Sequence, residues 1–159
     1  MPPDSPSLKA RALRLLSTRE HSRLELQRKL ARWDDPPGSL TAILDDLQAL
    51  GLIDEQRVLV SVLNRRSAKL GATRIKQELQ SLGLSQDAVS GAMDDLQTTE
   101  LERARAVWQK KFGSAKTDAP TRMPMDARTA AKQMRFLAAR GFRGDVIRRL
   151  VQNSDDEYP

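Results

Sequence analysis

The chain has 159 residues, a formal net charge of +6 and no cysteine. Without cysteine, it cannot form disulfides, thiolate zinc sites, iron–sulfur clusters or a cysteine nucleophile. Its hydrophobic residues, 39% of the chain, occur in short groups separated by charge, and none approaches the roughly 20 apolar residues of a membrane span. The N-terminus lacks the features of a secretory signal, so we expect a cytoplasmic protein with an anionic partner and no membrane contact.

Three helices are predicted in the first 50 residues. The first carries apolar residues at helical spacing, and Ser22 can cap a second helix in which Leu26 and Leu30 share a face. The prolines before Gly38 end this helix because proline lacks an amide donor. A third helix then starts at Ser39 or Thr41. Its apolar stripe contains Leu40, Ile43, Leu44, Leu47 and Leu50.

The next predicted helix covers Asp54 to Leu70, and Gly71 is a natural stop. Beyond it, the chain repeats itself. A shift of 49 positions places the pattern of residues 26–48 on residues 75–97 and superposes an Asp-Asp-Leu-Gln sequence. A weaker third copy starts at Leu137. Such self-similarity predicts an all-α fold of three tandem helical repeats that stack into an elongated, curved array.

We place the repeat boundaries at 7–53, 54–97 and 98–153. The third repeat contains a predicted flexible loop at 113–125, which is rich in small and polar residues and includes Pro120 and Pro124. Residues 1–6 and 154–159 are expected to be disordered tails.

The sequence offers no convincing catalytic site. The best acidic pairs are Asp45-Asp46 and Asp94-Asp95, but adjacent helical residues point about 100° apart, at 3.6 residues per turn. We therefore interpret both pairs as solvated or salt-bridged helix faces. His21, the only histidine, precedes a helix cap, where an exposed or locally hydrogen-bonded ring is expected. We predict no enzyme activity, no metal site and no cofactor.

Two groups of basic residues are candidate partner-binding sites. The first surrounds Gly71 and consists of Arg65, Arg66, Lys69, Arg74 and Lys76. The second lies in the third repeat and consists of Arg135, Arg140, Arg143 and Arg148, with Arg149 beside them. Both could contact phosphate without reading sequence, or simply solvate their helices. Trp33 and Trp108 are predicted to be core residues rather than platforms for stacked bases.

Several local sequences resemble the RecX family. Residues 12–26 are similar to the opening of that family. Its central pattern is present as Arg66, Gly71, Ile75, Glu78-Leu79 and Gly83. Its third-repeat signature is present as Arg135-Phe136-Leu137, Arg140-Gly141-Phe142 and Asp145-Val146-Ile147. The chain departs from the family after Ile53-Asp54, where Val58-Leu59 stand in place of the usual aromatic and small residues.

This resemblance implies three tandem three-helix repeats and a modulator, mainly an inhibitor, of the RecA recombinase. Family members bind the RecA filament on single-stranded DNA and suppress its ATPase, strand-exchange and co-protease activities in DNA repair and the SOS response. On this basis, we expect the two basic groups to contact the filament. Separately, we expect a monomer.

Two other interpretations stay open. A helix-turn-helix or sequence-independent DNA-binding protein would bind single- or double-stranded DNA without RecA, since paired helices with basic ends also occur in such proteins. A helical scaffold for an acidic protein would leave recombination reactions unchanged.

Overall fold

A computed structural model describes residues 5–113 and 126–152, and this part of the chain contains nine α-helices and no strand. The helices are α1 Leu8–Thr18, α2 Arg23–Leu30, α3 Ser39–Ala49, α4 Glu55–Arg66, α5 Ala72–Ser81, α6 Gln86–Thr98, α7 Glu100–Phe112, α8 Ala127–Ala139 and α9 Gly144–Gln152. A 3₁₀ turn, Ala31–Trp33, follows α2. The predicted all-α class is confirmed.

Local capping signals start α2 and α3 where the sequence predicted. Ser22 caps α2: its side chain accepts from the N–H of Glu25 at 3.1 Å, and the Glu25 carboxylate accepts from the N–H of Ser22 at 3.3 Å. This reciprocal pair satisfies two amide donors that the first helical turn leaves unpaired. At α3, the Asp34 carboxylate accepts from the N–H of Leu40 at 2.9 Å.

The helices pack in three groups of three, and each group buries its own apolar cluster. The cluster of α1–α3 contains Ala12, Leu26, Leu30, Leu40, Leu44, Leu47 and Ile53. That of α4–α6 contains Leu59, Val62, Ala72, Ile75, Leu79, Val89, Ala92 and Leu96. That of α7–α9 contains Ala104, Val107, Trp108, Leu137, Phe142, Val146, Ile147, Leu150 and Val151. The helical repeat fold is confirmed, because residues related by the sequence repeat occupy matching core positions.

The boundaries 7–53, 54–97 and 98–153 stay a prediction. Most of the predicted loop at 113–125 and of the two predicted tails lies outside the described residues. None of the helices within 5–113 and 126–152 combines the length and the apolar character needed to cross a membrane.

The helix predicted over Asp54 to Leu70 is too long. Asp54 is the N-cap of α4, and the helix ends at Arg66, so that Lys69 lies in the following turn. The carbonyls of Ser67 and Leu70 accept hydrogen bonds from Arg103 instead, at 3.0 and 2.8 Å. The guanidinium of Arg103, on α7, thus supplies the hydrogen bonds that a continued helix would otherwise give to these two carbonyls.

Candidate partner-binding surface

The turns that carry the two basic groups touch each other. The N–H of Gly71, just before α5, donates to the carbonyl of Arg140 at 2.8 Å, and the N–H of Thr73 donates to that of Gly141 at 3.2 Å. We call this contact between the α4–α5 turn and the α8–α9 turn the Gly71–Gly141 joint. It brings together two groups of cations that are about 60 residues apart in the chain.

The joint requires glycine at Gly71. A Cβ added there would lie 2.3 Å from the carbonyl carbon and oxygen of Gly141. Gly141 itself has φ +84°, a conformation that side-chain-bearing residues rarely adopt, and a Cβ there would meet Arg74 at 2.2 Å. The contact therefore depends on two backbones that approach each other without side chains between them.

A fully buried carboxylate lies beside the joint. Glu100, at the first position of α7, has no exposed surface. Its Oε1 accepts from the N–H of Ala72 at 3.3 Å and from the N–H of Arg143 at 3.1 Å, so it bridges the starts of α5 and α9. Its Oε2 lies 3.2 Å from Nε of Arg143, close enough for an ion pair although not aligned as a hydrogen bond.

Arg103 joins the same region from one turn further along α7. Its guanidinium donates to the carbonyls of Ser67, Leu70 and Leu96. Burial lowers the pKa of Arg103, whereas the charge of Glu100 raises it. An arginine stays protonated in such surroundings, and it acts here as a clamp across α4, α6 and α7. Neither Glu100 nor Arg103 stands out in the sequence, since a Glu and an Arg three apart at a helix start look like an ordinary surface pair.

Four of the predicted site residues are held by contacts within the chain. Arg143 pairs with Glu100 and with Asp145, both at 3.2 Å. Arg66 pairs with Glu78 at 3.1 Å, and Arg74 donates to the carbonyl of Ala139 at 2.9 Å. Arg140 lies over the ring of Phe136, 4.7 Å from its centroid. Arg143 is thus mainly a structural residue, while the other three are anchored at the surface.

The remaining five predicted site residues, and Arg149, are exposed and make no ion pair within the described part of the chain. They are Arg65, Lys69, Lys76, Arg135 and Arg148. Together with the anchored arginines they make up the nine predicted site residues, which we call the basic surface; these residues lie on α4, α5, α8 and α9 and on the two turns that meet at the Gly71–Gly141 joint. Cations without an internal ion pair are the ones that a negatively charged partner could contact without breaking an existing pair.

His21 is buried and has a structural role. Its ring is 1% exposed, and Nδ1 lies 3.0 Å from the carbonyl of Arg19, so Nδ1 carries the proton in the neutral ring and donates it. Nε2 then accepts from Nζ of Lys29 at 3.1 Å. The expected local hydrogen bond is confirmed. Burial lowers the pKa of His21.

Glu25 lies between His21 and two cations, Arg19 and Lys29. Burial acts to raise the pKa of this carboxyl, but the hydrogen bond and charge of Arg19, with smaller contributions from His21 and the N–H of Ser22, together lower it below its usual value. No group of three histidine or carboxylate side chains within residues 5–113 and 126–152 is arranged to hold a metal ion. Arg19, His21 and Lys29 all lie within ion-pair distance of Glu25 and form a network with it at the start of α2.

The acidic pairs and Trp108 lie where the sequence predicted, whereas Trp33 packs against the first cluster without being a buried core residue. Asp45 is exposed and pairs with Arg23 at 2.6 Å, and both acidic pairs lie on exposed helix faces. Trp108 is buried in the third cluster and donates to Gln133 at 2.9 Å. Trp33 is half-buried, with the guanidinium groups of Arg11 and Arg32 at 4.3 and 3.9 Å from its ring centroid. These cations already occupy space over the Trp33 ring that a stacked base would need.

Two models of one protein family match the chain. The model described as "RecX, first three-helix domain" matches residues 9–47, and the model described as "RecX, third three-helix domain" matches residues 98–151. These ranges correspond closely to α1–α3 and α7–α9.

Curated relatives match over almost the whole chain. The "Regulatory protein RecX" of Leptothrix cholodnii is 49% identical over 152 residues, which cover 96% of this chain and 92% of the relative. The protein of the same name from Herbaspirillum seropedicae is 42% identical and covers 100% of this chain and 99% of its own length. The crystal structure of RecX from Lactobacillus salivarius has a similar fold, with a TM-score of 0.71 at 21% identity over 93% of this chain and 94% of that one.

Proposed function

The chain belongs to the RecX family of regulatory proteins, and we propose that it modulates the RecA recombinase, mainly by inhibition. It binds the RecA filament on single-stranded DNA and suppresses the ATPase, strand-exchange and co-protease activities of that filament in DNA repair and the SOS response. The proposal treats the chain as a cytoplasmic monomer that acts by binding and not by catalysis.

The observation that carries this proposal is the basic surface at the Gly71–Gly141 joint. The cations lie on α4, α5, α8 and α9 and on the two turns that meet at this joint, and several of them form no internal ion pair. A surface built from two repeats can touch more than one protomer of a filament, or a protomer and nearby phosphate, and several weak contacts then add up to tight binding. A chain with scattered charges would lack this advantage.

The test is ATP hydrolysis by RecA on single-stranded DNA, titrated with this chain at low and high salt. We expect inhibition at well below one chain per RecA protomer, which weakens as salt screens the basic surface. If ATP hydrolysis is unaffected at every ratio while the chain remains folded, the proposal is wrong. Tight binding to duplex DNA in the absence of RecA would favour the DNA-binding alternative.

Charge-reversal variants locate the contact. The double variant Lys76→Glu with Arg135→Glu changes two exposed residues without disturbing an internal ion pair. The matched control is Lys9→Glu with Arg14→Glu, two exposed residues of α1 with the same change in net charge. We expect inhibition to weaken at least tenfold in the first variant and to change little in the control, since each lost charged contact is worth about 1.4 kcal/mol or more. Equal losses would assign the effect to net charge alone.

A further inference from the structure

The second helices of the first two repeats, α2 and α5, start in different ways. Their N-caps are Ser22 and Gly71, which lie 49 positions apart and so occupy the same place in the sequence repeat. The hydroxyl of Ser22 caps α2, and the Glu25 carboxylate accepts from the N–H of Ser22. Gly71 has no side chain that could cap α5. The capping bonds of α2 therefore come from its own repeat.

The third repeat pairs the N–H groups at the start of α5. Those of Gly71 and Thr73 donate to backbone carbonyls of the α8–α9 turn, and that of Ala72 donates to Glu100 at 3.3 Å. Gly71 and Ala72 are buried. Separation of the second and third repeats would leave buried donors without partners, which costs free energy. The bonds that α5 needs at its start thus hold these two repeats together.

The boundary between the first and second repeats is held by exposed side chains. Arg57 pairs with Glu20 at 3.0 Å and donates to the carbonyl of Gly51, and Arg28 donates to the carbonyl of Ser81 at 2.9 Å. No backbone hydrogen bond joins α1–α3 to α4–α6 within the described residues. Exposed ion pairs contribute little to stability, and salt weakens them. This boundary is therefore held more weakly than the one at the Gly71–Gly141 joint.

The glycine at this weaker boundary meets a side chain and not a backbone. Gly83, in the α5–α6 turn, corresponds to Gly141 in the sequence repeat. A Cβ at Gly83 would lie 2.8 Å from Cδ2 of Leu24, whereas a Cβ at Gly71 would lie 2.3 Å from the carbonyl of Gly141. A flexible leucine side chain can slide over the turn beside it. Two backbones that are in close contact and hydrogen-bonded cannot slide without breaking those bonds.

We infer that the first repeat, α1–α3, swings as a unit on a rigid body formed by α4–α9. The hinge is the link between α3 and α4. Ile53 is buried in the first cluster and Asp54 caps α4, so the change in backbone angles falls between these two residues. The hinge is a property of the chain alone and does not depend on the function proposed above.

The swing changes the distance between two sets of cations. Lys9, Arg14 and Arg32 are exposed on the first repeat and form no ion pair within the described part of the chain. The basic surface lies on the rigid body and keeps its shape. Movement of the first repeat brings its cations nearer to that surface or takes them farther from it. The chain can therefore match negative charges whose spacing differs from one partner to another.

The absence of cysteine allows two labels to be placed at chosen positions. One pair of spin labels, at Ala42→Cys and Ser90→Cys, connects α3 to α6 across the hinge. The control pair, at Ser90→Cys and Lys132→Cys, connects α6 to α8 within the rigid body. All three positions are exposed. Pulsed electron paramagnetic resonance on the full chain measures the distribution of distances for each pair.

The widths of the two distributions decide between a hinge and a rigid array. We expect the hinge pair to give a distribution roughly twice as wide as that of the control pair. It should widen further at high salt, where the exposed contacts are screened, whereas the control pair should stay narrow. Equal widths for the two pairs at both salt concentrations would overturn the inference.

Two matched substitutions test what restrains the hinge. Arg57→Gln removes the ion pair with Glu20, so at low salt it should widen the distribution of the hinge pair to about that of the parent at high salt. The control is Arg23→Gln, which removes an ion pair with Asp45 inside the first repeat and should leave the distribution unchanged. If the two variants behave alike, the first repeat is not held as we infer.

The rigid body is tested by Gly71→Ala. This change disturbs the backbone contact with Gly141, so it should widen the distribution of the control pair. The hinge pair, which does not cross the Gly71–Gly141 joint, should keep the width that it has in the parent. A control pair that stays as narrow in Gly71→Ala as in the parent would contradict the coupling of the second and third repeats through the start of α5.

Discussion

The backbones of Gly71 and Gly141 pack directly against each other, although the two residues belong to different three-helix groups. The N–H of Gly71 donates to the carbonyl of Arg140, and a Cβ at Gly71 would lie 2.3 Å from the Gly141 carbonyl. This contact positions the two halves of the basic surface relative to each other. The stability of the joint and the geometry of the surface should therefore change together.

Adding one methyl group at Gly71 should separate the repeats. We expect Gly71→Ala to lower the free energy of unfolding by about 1–3 kcal/mol, because the backbone of Gly141 has to move away. Urea denaturation measures this change. The control is Gly91→Ala in α6, where a Cβ meets nothing within 4 Å and should stabilise the helix by about 0.5–1 kcal/mol. A Gly71→Ala variant as stable as the parent would contradict the close contact.

The charge of Glu100 should matter even where its shape is kept. Glu100→Gln can still accept from the N–H groups of Ala72 and Arg143, but it loses the ion pair with the Arg143 guanidinium. We expect a loss of about 1–3 kcal/mol in the free energy of unfolding. Glu102→Gln, an exposed change in the same helical turn, should stay within about 0.5 kcal/mol of the parent. Equal stabilities for the two variants would show that the buried pair contributes nothing.

Arg103 should not tolerate lysine. The guanidinium reaches three carbonyls at once, and a lysine ammonium on a flexible stem cannot reproduce this planar arrangement. We expect Arg103→Lys to lower the free energy of unfolding by about 1–3 kcal/mol, since it leaves carbonyls at the α4–α5 turn without donors. Arg105→Lys, at an exposed position of α7, is the control. Thermal melts that rank the two variants together would count against the clamp.

His21 should make the fold less stable in mild acid. Burial lowers the pKa of His21 below 6.5, so in the window between its folded pKa and 6.5 the unfolded chain binds a proton that the folded chain does not. The free energy of unfolding therefore falls as the pH drops through this window. Glu25 stabilises the fold at neutral pH because its pKa is lowered in the folded chain. This contribution to the free energy of unfolding is lost only as the pH falls below 4.5.

The chain has one histidine, which isolates this effect. We expect His21→Gln to remove most of the difference in stability between a pH above 6.5 and a pH just above 4.5, as measured by urea denaturation at both. A variant that keeps the full pH dependence of the parent would show that another group is responsible.

The sequence by itself determined where several helices start, the repeat and the apolar faces. Helix starts depend on neighbours in the chain, as the Ser22 and Glu25 cap shows, and core positions such as Leu26 and Ile75 follow from helical spacing. Both signals act over a few residues, so they can be seen in the order of the amino acids. The two basic groups were also visible, because charge can be counted without knowing the fold.

Only the tertiary structure decided which of those charges are free. Arg143 meets Glu100 43 positions away, and Arg74 reaches the carbonyl of Ala139 65 positions away. Packing also decides the exposure of Val60 in the middle of α4, because it determines which face of that helix the second repeat buries. Burial and ion pairing depend on which repeats pack together, and local spacing carries no information about partners at that distance. The sequence could therefore name candidates for the surface, while packing separated the structural arginines from those left for a partner.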